Sequence, residues 1–332
     1  METNSGFNKS LVQEIESRLP KKNDQLLLLT DVLSIAKEAA YRRLRGDVPF
    51  SFTESCMLAK ELEISLDSIV GAESDKHSSG FKIFAPSSGI DVVDHTNYYI
   101  NLVYQKYEAA CQKYEDRPIS IMTAYNTIPS SLLQNYPLLF QFRAYKWGYQ
   151  MHRGGSYLFE SLDIEKDRMK VKELVYRLYE NAEISFIFGR QIFVSFFKQI
   201  LHFHELRFIS DEHFLGLKEE LLHLLDTLEW IATGGQSDRC EKIWLYLSHV
   251  DFENNYTYVK GENIEEAYIP VYQIHSIYSS DQYICQITKE WIESLIKYST
   301  LISISGEKER ISFFEKQRDY ISGFTISKKN LP

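Results

Sequence analysis

The sequence lacks the long apolar runs that mark membrane-spanning and secreted proteins. Its most apolar span, Ile184–Ile209, is interrupted by six charged or histidine residues, so no membrane-spanning segment is predicted. The first residues of the chain are polar and contain no early apolar stretch, so no signal peptide is predicted. These features lead us to expect a cytoplasmic protein that does not contact a membrane.

Cysteine is scarce, and its four copies lie far apart at Cys56, Cys111, Cys240 and Cys285. No two of them form a CxxC pair, which excludes the common zinc-binding and thiol-redox motifs. A chain of 332 residues can bury a sizeable core and does not need disulfides to fold. We therefore expect buried, reduced thiols, as in other cytoplasmic proteins.

Recognisable catalytic and cofactor-binding motifs are also missing. No HExxH, Walker, dinucleotide-binding or GxSxG pattern occurs. One region is rich in side chains that bind metals elsewhere: His202, His204, Glu205, His213 and His223. Their spacing places them on different sides of their helices, so no metal site is predicted. Of two glycine pairs that can cradle an anion, Gly154-Gly155 and Gly234-Gly235, the second is better explained as a helix end. We predict no enzymatic activity and no cofactor.

The net charge is −9, from 37 basic and 46 acidic residues. This acidic balance excludes a protein that coats nucleic acid broadly through unspecific attraction to phosphates. It does not exclude a local basic surface, because the position of the charges decides what they bind.

The most informative stretch is Leu28–Gly46, which predicts a helix, a tight turn and a second helix. The first helix has an apolar face, and the turn falls at Ser34-Ile35. The second helix, residues 36–45, has Ala40 and Leu44 on one side and charged residues on the others. Gly46 then ends it. This spacing is typical of a helix-turn-helix, whose second helix lies in the DNA major groove.

Further helices flank this pair. A loose tail over residues 1–10 and a helix over residues 11–19 are predicted before it. Ser51 and Glu54 form a capping-box signature for a helix over residues 52–62, and a fifth helix is predicted over residues 66–70. These five helices resemble the Cro/phage-repressor-like (XRE-type) helix-turn-helix family of bacterial transcriptional regulators. The matching residues are LLTDVLSI–AKEAAYRRLRG and FTESCMLAKELEISLDSIVG. The resemblance covers about the first fifth of the chain.

The sequence departs from the family pattern at several positions. The family usually has Gly where Ser34 stands, a capping Ser or Thr where Ala36 stands, and a phosphate-binding Gln where Leu26 stands. An apolar core position of the family falls on Arg43. A shift of about one residue would let Leu44 take that place, so two registers of the second helix stay open.

The resemblance implies a role for each exposed residue of the second helix. Lys37, Glu38 and Arg42 fall on positions that face base edges, and Arg45 falls on a phosphate-facing position. Their chemistry suits these roles, because Lys and Arg donate to guanine O6 and N7 and Glu accepts from cytosine N4. Tyr41 can donate to a phosphate or contact a thymine methyl group. The implied partner is double-stranded DNA.

Residues 72–80 are small and polar and predict a linker between residues 1–71 and a larger domain, residues 81–332. In this second part, helical and strand patterns alternate, so the fold class is mainly α with a mixed α+β C-terminal part. Helices are predicted over residues 98–114, 132–151 with a break at Pro137, 164–182, 191–205, 211–234, 288–298 and 307–321. Strands are predicted over residues 119–124, 184–188, 243–250, 256–259 and 267–278. Its aromatic residues, such as Phe140, Phe142, Tyr145, Trp147 and Tyr149, line a pocket or belong to the core.

Together these observations predict a sequence-specific transcriptional regulator. We expect a homodimer that places two recognition helices roughly 34–36 Å apart on a palindromic operator. The C-terminal domain is expected to dimerise, to bind a small-molecule or protein effector, or both. One alternative is a protein-interaction adaptor that keeps a degenerate helix-turn-helix. Another is an unrecognised C-terminal enzyme domain fused to a DNA-binding module.

Overall fold

The chain divides into two compact units, residues 1–81 and residues 82–332. In this computed structural model the described residues are 3–62, 64, 66, 69, 82–84, 95–114, 117–151, 159–271 and 275–324. The predicted linker, residues 72–80, lies outside them, and so does most of the predicted helix over residues 66–70. Among the described helices, none is long and apolar enough to cross a membrane.

The N-terminal unit contains four described helices: α1 (Thr3–Arg18), α2 (Lys22–Leu33), α3 (Lys37–Leu44) and α4 (Phe52–Glu61). Buried apolar side chains from all four helices form one core: Leu11, Ile15, Leu26, Leu29, Ala40, Leu44, Leu58 and Ala59. Burying each of these leucines contributes roughly 1.5–3 kcal/mol, so the core holds the short helices together. Such short helices would be marginal in isolation.

The prediction of a loose tail over residues 1–10 was wrong, because α1 begins at Thr3. The residues at its start include poor helix formers such as Gly6 and Asn8, so the sequence pattern did not indicate a helix there. Asn8 instead contributes a tertiary contact. Its side-chain oxygen accepts a hydrogen bond from the backbone N–H of Phe50 at 2.9 Å. This bond ties the first half of α1 to the segment between α3 and α4.

The connection between α2 and α3 has only three residues, and Ser34 adopts the left-handed conformation there, with φ +51°. This conformation favours glycine, because a side chain crowds the backbone at positive φ. The small Ser34 side chain is accommodated and is exposed. After α3 the chain turns again at Gly46, with φ +80°.

The start of α4 shows the capping box expected from Ser51 and Glu54. The Ser51 hydroxyl oxygen accepts from the Glu54 backbone N–H at 3.3 Å. In return, a Glu54 carboxylate oxygen accepts from the Ser51 backbone N–H at 2.8 Å. These bonds satisfy two donors that the first helical turn would otherwise leave unpaired.

The C-terminal unit is an α+β domain, which confirms the coarse fold class. Its helices are α5 (His95–Tyr114), α6 (Pro137–Met151), α7 (Glu165–Glu180), α8 (Ile192–Glu205), α9 (Asp211–Gly234), α10 (Gln282–Lys297) and α11 (Glu307–Ser322). Its strands are β1 (Lys82–Phe84), β2 (Ile119–Tyr125), β3 (Ala182–Phe188), β4 (Lys242–Ser248), β5 (Tyr256–Lys260), β6 (Glu265–Val271), β7 (His275–Ser279) and β8 (Ser299–Leu301). Short 3₁₀ helices lie at Ser130–Leu133 and Phe159–Ser161.

All eight strands belong to one mixed sheet with the order β1-β7-β6-β5-β2-β3-β4-β8. At its centre β2, β3 and β4 are parallel, and the other neighbouring pairs are antiparallel. Helices α6 and α7 connect β2 to β3, and α8 and α9 connect β3 to β4. Parallel neighbours require such long crossovers, since a tight turn can join only antiparallel strands.

The two faces of the sheet belong to different apolar clusters. Ile184, Phe186 and Leu245 join the larger cluster, which also contains residues of α5 to α9 and α11. On the other face, Ala124 and Ile187 pack with apolar residues of α10. Helices thus cover the sheet on both faces, as parallel strands require.

Several predicted elements needed correction. The single strand predicted over residues 267–278 is two strands, β6 and β7, with residues 272–274 outside the described part. Of the helix predicted on both sides of Pro137, the second part is α6, which begins at Pro137, where a missing N–H costs nothing. The first part is the short 3₁₀ helix Ser130–Leu133. Helix α10 begins at Gln282, six residues before the predicted start, because the Asp281 carboxylate caps the Ile284 N–H at 3.0 Å. The three-residue strands β1 and β8 were not predicted.

The burial of the aromatic residues of α6 shows whether they belong to the core or line a pocket. Phe140, Phe142 and Tyr145 are fully buried, and Trp147 is nearly so. Phe142 packs edge-on against Phe196 of α8, with ring centroids 5.6 Å apart. These rings are therefore core residues. Tyr149 alone among the five is exposed.

Candidate functional site

Five side chains of α3 and the residue after it form one exposed surface: Lys37, Glu38, Tyr41, Arg42 and Arg45. At 3.6 residues per turn they span an arc of about 140° around the helix axis. Ala40 and Leu44 lie outside this arc and are buried in the core of the N-terminal unit. The structure thus brings together all five residues that the sequence singled out. We call them the α3 surface.

Arg43 points away from the α3 surface. Its Nη2 atom lies 2.7 Å from a carboxylate oxygen of Glu54 on α4, and both side chains are mostly buried. Although burial acts to raise it, hydrogen bonds from Ser51 and Arg43 hold the pKa of Glu54 below its usual value. Leu44 occupies the core beside this ion pair. Leu44 thus fills the apolar position that the family pattern places on Arg43, as a slight rotation of the helix allows, while Lys37 and Arg42 stay exposed.

The electrostatics of the α3 surface are mixed but mainly basic. Arg45 forms a 2.7 Å ion pair with Asp47, and both side chains are well exposed. Such surface pairs contribute little and exchange readily, so Arg45 remains able to bind an anion. Lys22, the first residue of α2, places its ammonium 6.0 Å from the Tyr41 ring centre. Sequence reasoning missed Lys22, because it lies 15 positions before Lys37 and outside the predicted recognition helix.

The first turn of α3 has no side-chain cap from its own N-cap residue. Ala36 is the N-cap residue and makes no side-chain hydrogen bond to the first turn. The backbone N–H groups at a helix start carry partial positive charge, and they bind phosphate oxygens well. The missing cap is a departure from the family pattern. It leaves the first N–H groups of α3 able to bind a phosphate oxygen beside the α3 surface.

The position where the family has a phosphate-binding Gln is not at the surface. Leu26 is 2% exposed and belongs to the core. The preceding Gln25 is also buried, and its amide donates to the Leu19 carbonyl oxygen at 2.6 Å. A side-chain contact from this part of α2 to a partner is therefore not available from either residue.

The histidine-rich region of the C-terminal unit forms separate local contacts. His204 lies 2.7 Å from Asp211, and His213 lies 2.9 Å from the Ser210 hydroxyl. His223 packs edge-on against Tyr136. Within the described residues, no three metal-ligating side chains gather at one place. None of the four cysteines forms a disulfide, and three of them are buried.

Of the two glycine pairs considered as anion sites, the structure describes one. Gly235 has φ +67° and its N–H bonds to the Ile231 carbonyl oxygen, so it ends α9 as expected. The Gly154-Gly155 pair lies outside the described residues.

Comparisons of the chain with family models, with curated proteins and with solved structures find no match. The functional argument therefore rests on the geometry and chemistry of the sites themselves.

Proposed function

We propose that the protein is a sequence-specific DNA-binding transcriptional regulator, and that α3 is its recognition helix. One observation carries the proposal: the exposed basic α3 surface follows a three-residue turn whose first residue, Ser34, is left-handed. A short exposed helix set at a fixed angle by such a turn suits the major groove. The arrangement favours an XRE-type helix-turn-helix, with α1 and α4 as supporting helices.

The side chains of the α3 surface divide into two roles. Lys37 and Arg42 are suited to donate to guanine, and Glu38 to accept from cytosine. Arg45 and Lys22 are suited to contact phosphates, which position the helix without reading sequence. The acidic remainder of the chain weakens unspecific attraction and leaves discrimination to these contacts.

We expect a dimer because the recognition helix α3 is short. One eight-residue helix contacts few base pairs, whereas two copies related by a two-fold axis read a palindrome with half-sites roughly 34–36 Å apart. The C-terminal unit would hold the two copies together, respond to an effector, or both.

The decisive experiment is selection of bound sequences from a random pool of duplex DNA. The full-length protein is expected to enrich a palindrome. Arg42→Ala should relax the preference at one position in each half-site, at a cost of about 1–3 kcal/mol there. Arg45→Ala should weaken binding to all sequences alike and reduce the slope of affinity against salt concentration by about one.

Lys60→Ala is the matched control, because Lys60 is an exposed lysine of α4 outside the α3 surface. It should leave both the motif and the salt slope unchanged. An enriched motif that keeps its definition in Arg42→Ala would contradict the assigned role of α3. Equal losses in Arg45→Ala and Lys60→Ala would mean that the surface acts only through overall charge.

A second candidate function is docking of a protein by the N-terminal unit. Two large apolar side chains of this unit are unusually exposed, Leu27 at 60% and Phe52 at 82%. Exposed apolar side chains are typical of interaction surfaces when they cluster. Failure to enrich any DNA at low salt, with a folded N-terminal unit, would favour this candidate over the regulator.

A further inference from the structure

A polar cavity of about 390 Å³ lies in the C-terminal unit at the carboxyl end of β2. Residues 125–130, which end and follow β2, form one wall, and α6 and the first turns of α8 form two others. Asn255, just before β5, completes the rim. In open sheets with parallel strands, ligands bind outside the carboxyl ends of those strands. The volume is in the range of small-molecule sites.

Two cations of α6 line this cavity and are almost fully buried. Arg143 is 7% exposed and Lys146 is 9% exposed. Arg143 donates from Nη2 to the Ile128 carbonyl oxygen at 2.6 Å, and Lys146 donates to the Gln199 side-chain oxygen at 2.7 Å. The buried Nε of Arg143 has no hydrogen-bond partner among the described residues. The acceptors of these two hydrogen bonds are neutral oxygens and not carboxylates.

Basic residues outnumber acidic ones in the described lining of this cavity. Lys106 of α5 is a third basic residue of the lining, and none of the described lining residues is acidic. Burial, and second the nearby Arg143, lower the pKa of Lys146 to about 7. Burying a charge without a counter-charge costs roughly several kcal/mol. Two such groups at one place therefore indicate a binding site for an anion.

The rest of the lining suits a polar ligand with an apolar part. Donors and acceptors come from short polar side chains: Asn126, Thr127, Ser130, Ser195 and Asn255. A second cavity, of about 230 Å³, shares three of its lining residues, Lys106, Tyr125 and Pro270, with the first. Its wall includes several aromatic side chains, among them Tyr107 and Tyr179. A ligand at the cations can therefore extend an apolar or aromatic group across Tyr125.

We propose that this cavity binds an anionic small molecule whose phosphate or carboxylate group lies between Arg143 and Lys146. The two side chains supply the charge, and the Nε–H of Arg143 supplies a donor that has no partner among the described residues. The inference concerns the C-terminal unit alone and holds whether or not the N-terminal unit binds DNA.

The test uses three probes that share one ring: phenyl phosphate, benzoate and phenol. Their binding to the full-length protein is followed by ligand-observed NMR at low ionic strength. At least one of the two anions is expected to saturate in the millimolar range or below, and phenol to bind at least tenfold more weakly. Whichever anion binds more tightly identifies the head group as phosphate or carboxylate.

Two variants of one exposed lining residue isolate the charge. Ser195→Asp supplies an internal carboxylate beside the cations, and Ser195→Asn is its uncharged match. The Asp variant should bind the anion at least tenfold more weakly than the Asn variant and should melt at a higher temperature. Lys166→Met, at an exposed lysine of α7, should bind as the wild type does.

The proposal is overturned if neither anion saturates the wild-type protein, or if phenol binds as tightly as both anions. It is equally overturned if the Asp and Asn variants bind with the same affinity. Because Ser195 is exposed, both variants are expected to fold, which a shared melting transition would verify.

Discussion

The two units of the chain use basic residues in opposite ways. On α3 of the N-terminal unit, Lys37 and Arg42 extend into solvent. On α6 of the C-terminal unit, Arg143 and Lys146, three positions apart, are buried beside a cavity. Solvated charges cost the fold little and suit a large, highly charged partner. Buried charges reduce stability until a counter-ion arrives, which suits a small ligand held away from water.

The two units fold around separate cores, so a large substitution in one core should leave the other intact. Leu29 is fully buried in the core of the N-terminal unit. Leu29→Ala should destabilise that unit by about 2–5 kcal/mol, since it removes buried methyl groups and leaves a cavity. Hydrogen exchange measured by mass spectrometry should show faster exchange in α1 to α4 and no change in β2 to β4.

Leu224→Ala is the matched substitution in the core of the C-terminal unit. It should give the reverse pattern, with protection lost in the sheet and kept in α1 to α4. If either variant loosens both units together, the two cores are coupled and the comparison between separate units fails.

A second prediction compares a buried with an exposed lysine. Lys146→Met should raise the free energy of unfolding at pH 6 by about 1–4 kcal/mol, because an apolar side chain replaces a buried charge without a counter-ion. Lys37→Met, at the exposed end of α3, should change it by less than about 0.5 kcal/mol. Chemical denaturation followed by circular dichroism measures both.

The difference in the free energy of unfolding between Lys146→Met and the wild type should depend on pH. Below pH 7, Lys146 is protonated in the folded and unfolded chains, so the folded wild type carries the full cost of the buried charge. Between its folded pKa of about 7 and its usual value of 10.5, only the unfolded chain binds the proton. The wild type therefore gains stability as pH rises, and its gap to Lys146→Met closes by about pH 10.

The described groups that line the cavity together with Lys146 are consistent with a lowered pKa. Arg143 on α6 and Lys106 on α5 are basic, Gln199 on α8 is neutral, and Tyr125 ends β2. A gap between wild type and Lys146→Met that stays constant from pH 6 to pH 10 would show that Lys146 keeps its proton through another partner.

The α3 surface could be predicted from the sequence alone, whereas the cavity of the C-terminal unit could not. The α3 surface lies within nine consecutive positions, so helical periodicity was enough to place its five residues on one side. The cavity draws residues from Tyr125, Arg143, Ser195 and Asn255, which meet only because of the sheet order. No local pattern records that order, because β5 pairs with β2 across more than 100 intervening residues. Arg143 and Lys146 also lie in an aromatic run that predicts core or pocket.

A local signal predicted the start of α4 well, because the Ser51 side chain caps the backbone of its own helix. Ser51→Ala should lower the stability of this unit by about 0.5–2 kcal/mol, since it removes the acceptor for the Glu54 N–H. Ser55→Ala, one turn later on the same helix, should cost less, because its hydroxyl donates to a carbonyl that the helix already uses. Equal losses would mean that the capping box adds nothing beyond an ordinary surface serine.

The smallest effect expected is at the turn that orients α3. Ser34 has φ +51°, where glycine is favoured, so Ser34→Gly should stabilise the N-terminal unit by about 0.5–1 kcal/mol. Ala39→Gly, inside α3, should destabilise it by a similar amount, because glycine in a helix interior costs about 0.5–1 kcal/mol relative to alanine. Denaturation midpoints of the two variants measure this difference in sign. If Ser34→Gly also destabilised the unit, the α2–α3 turn would not have the left-handed residue that sets the angle of the α3 surface.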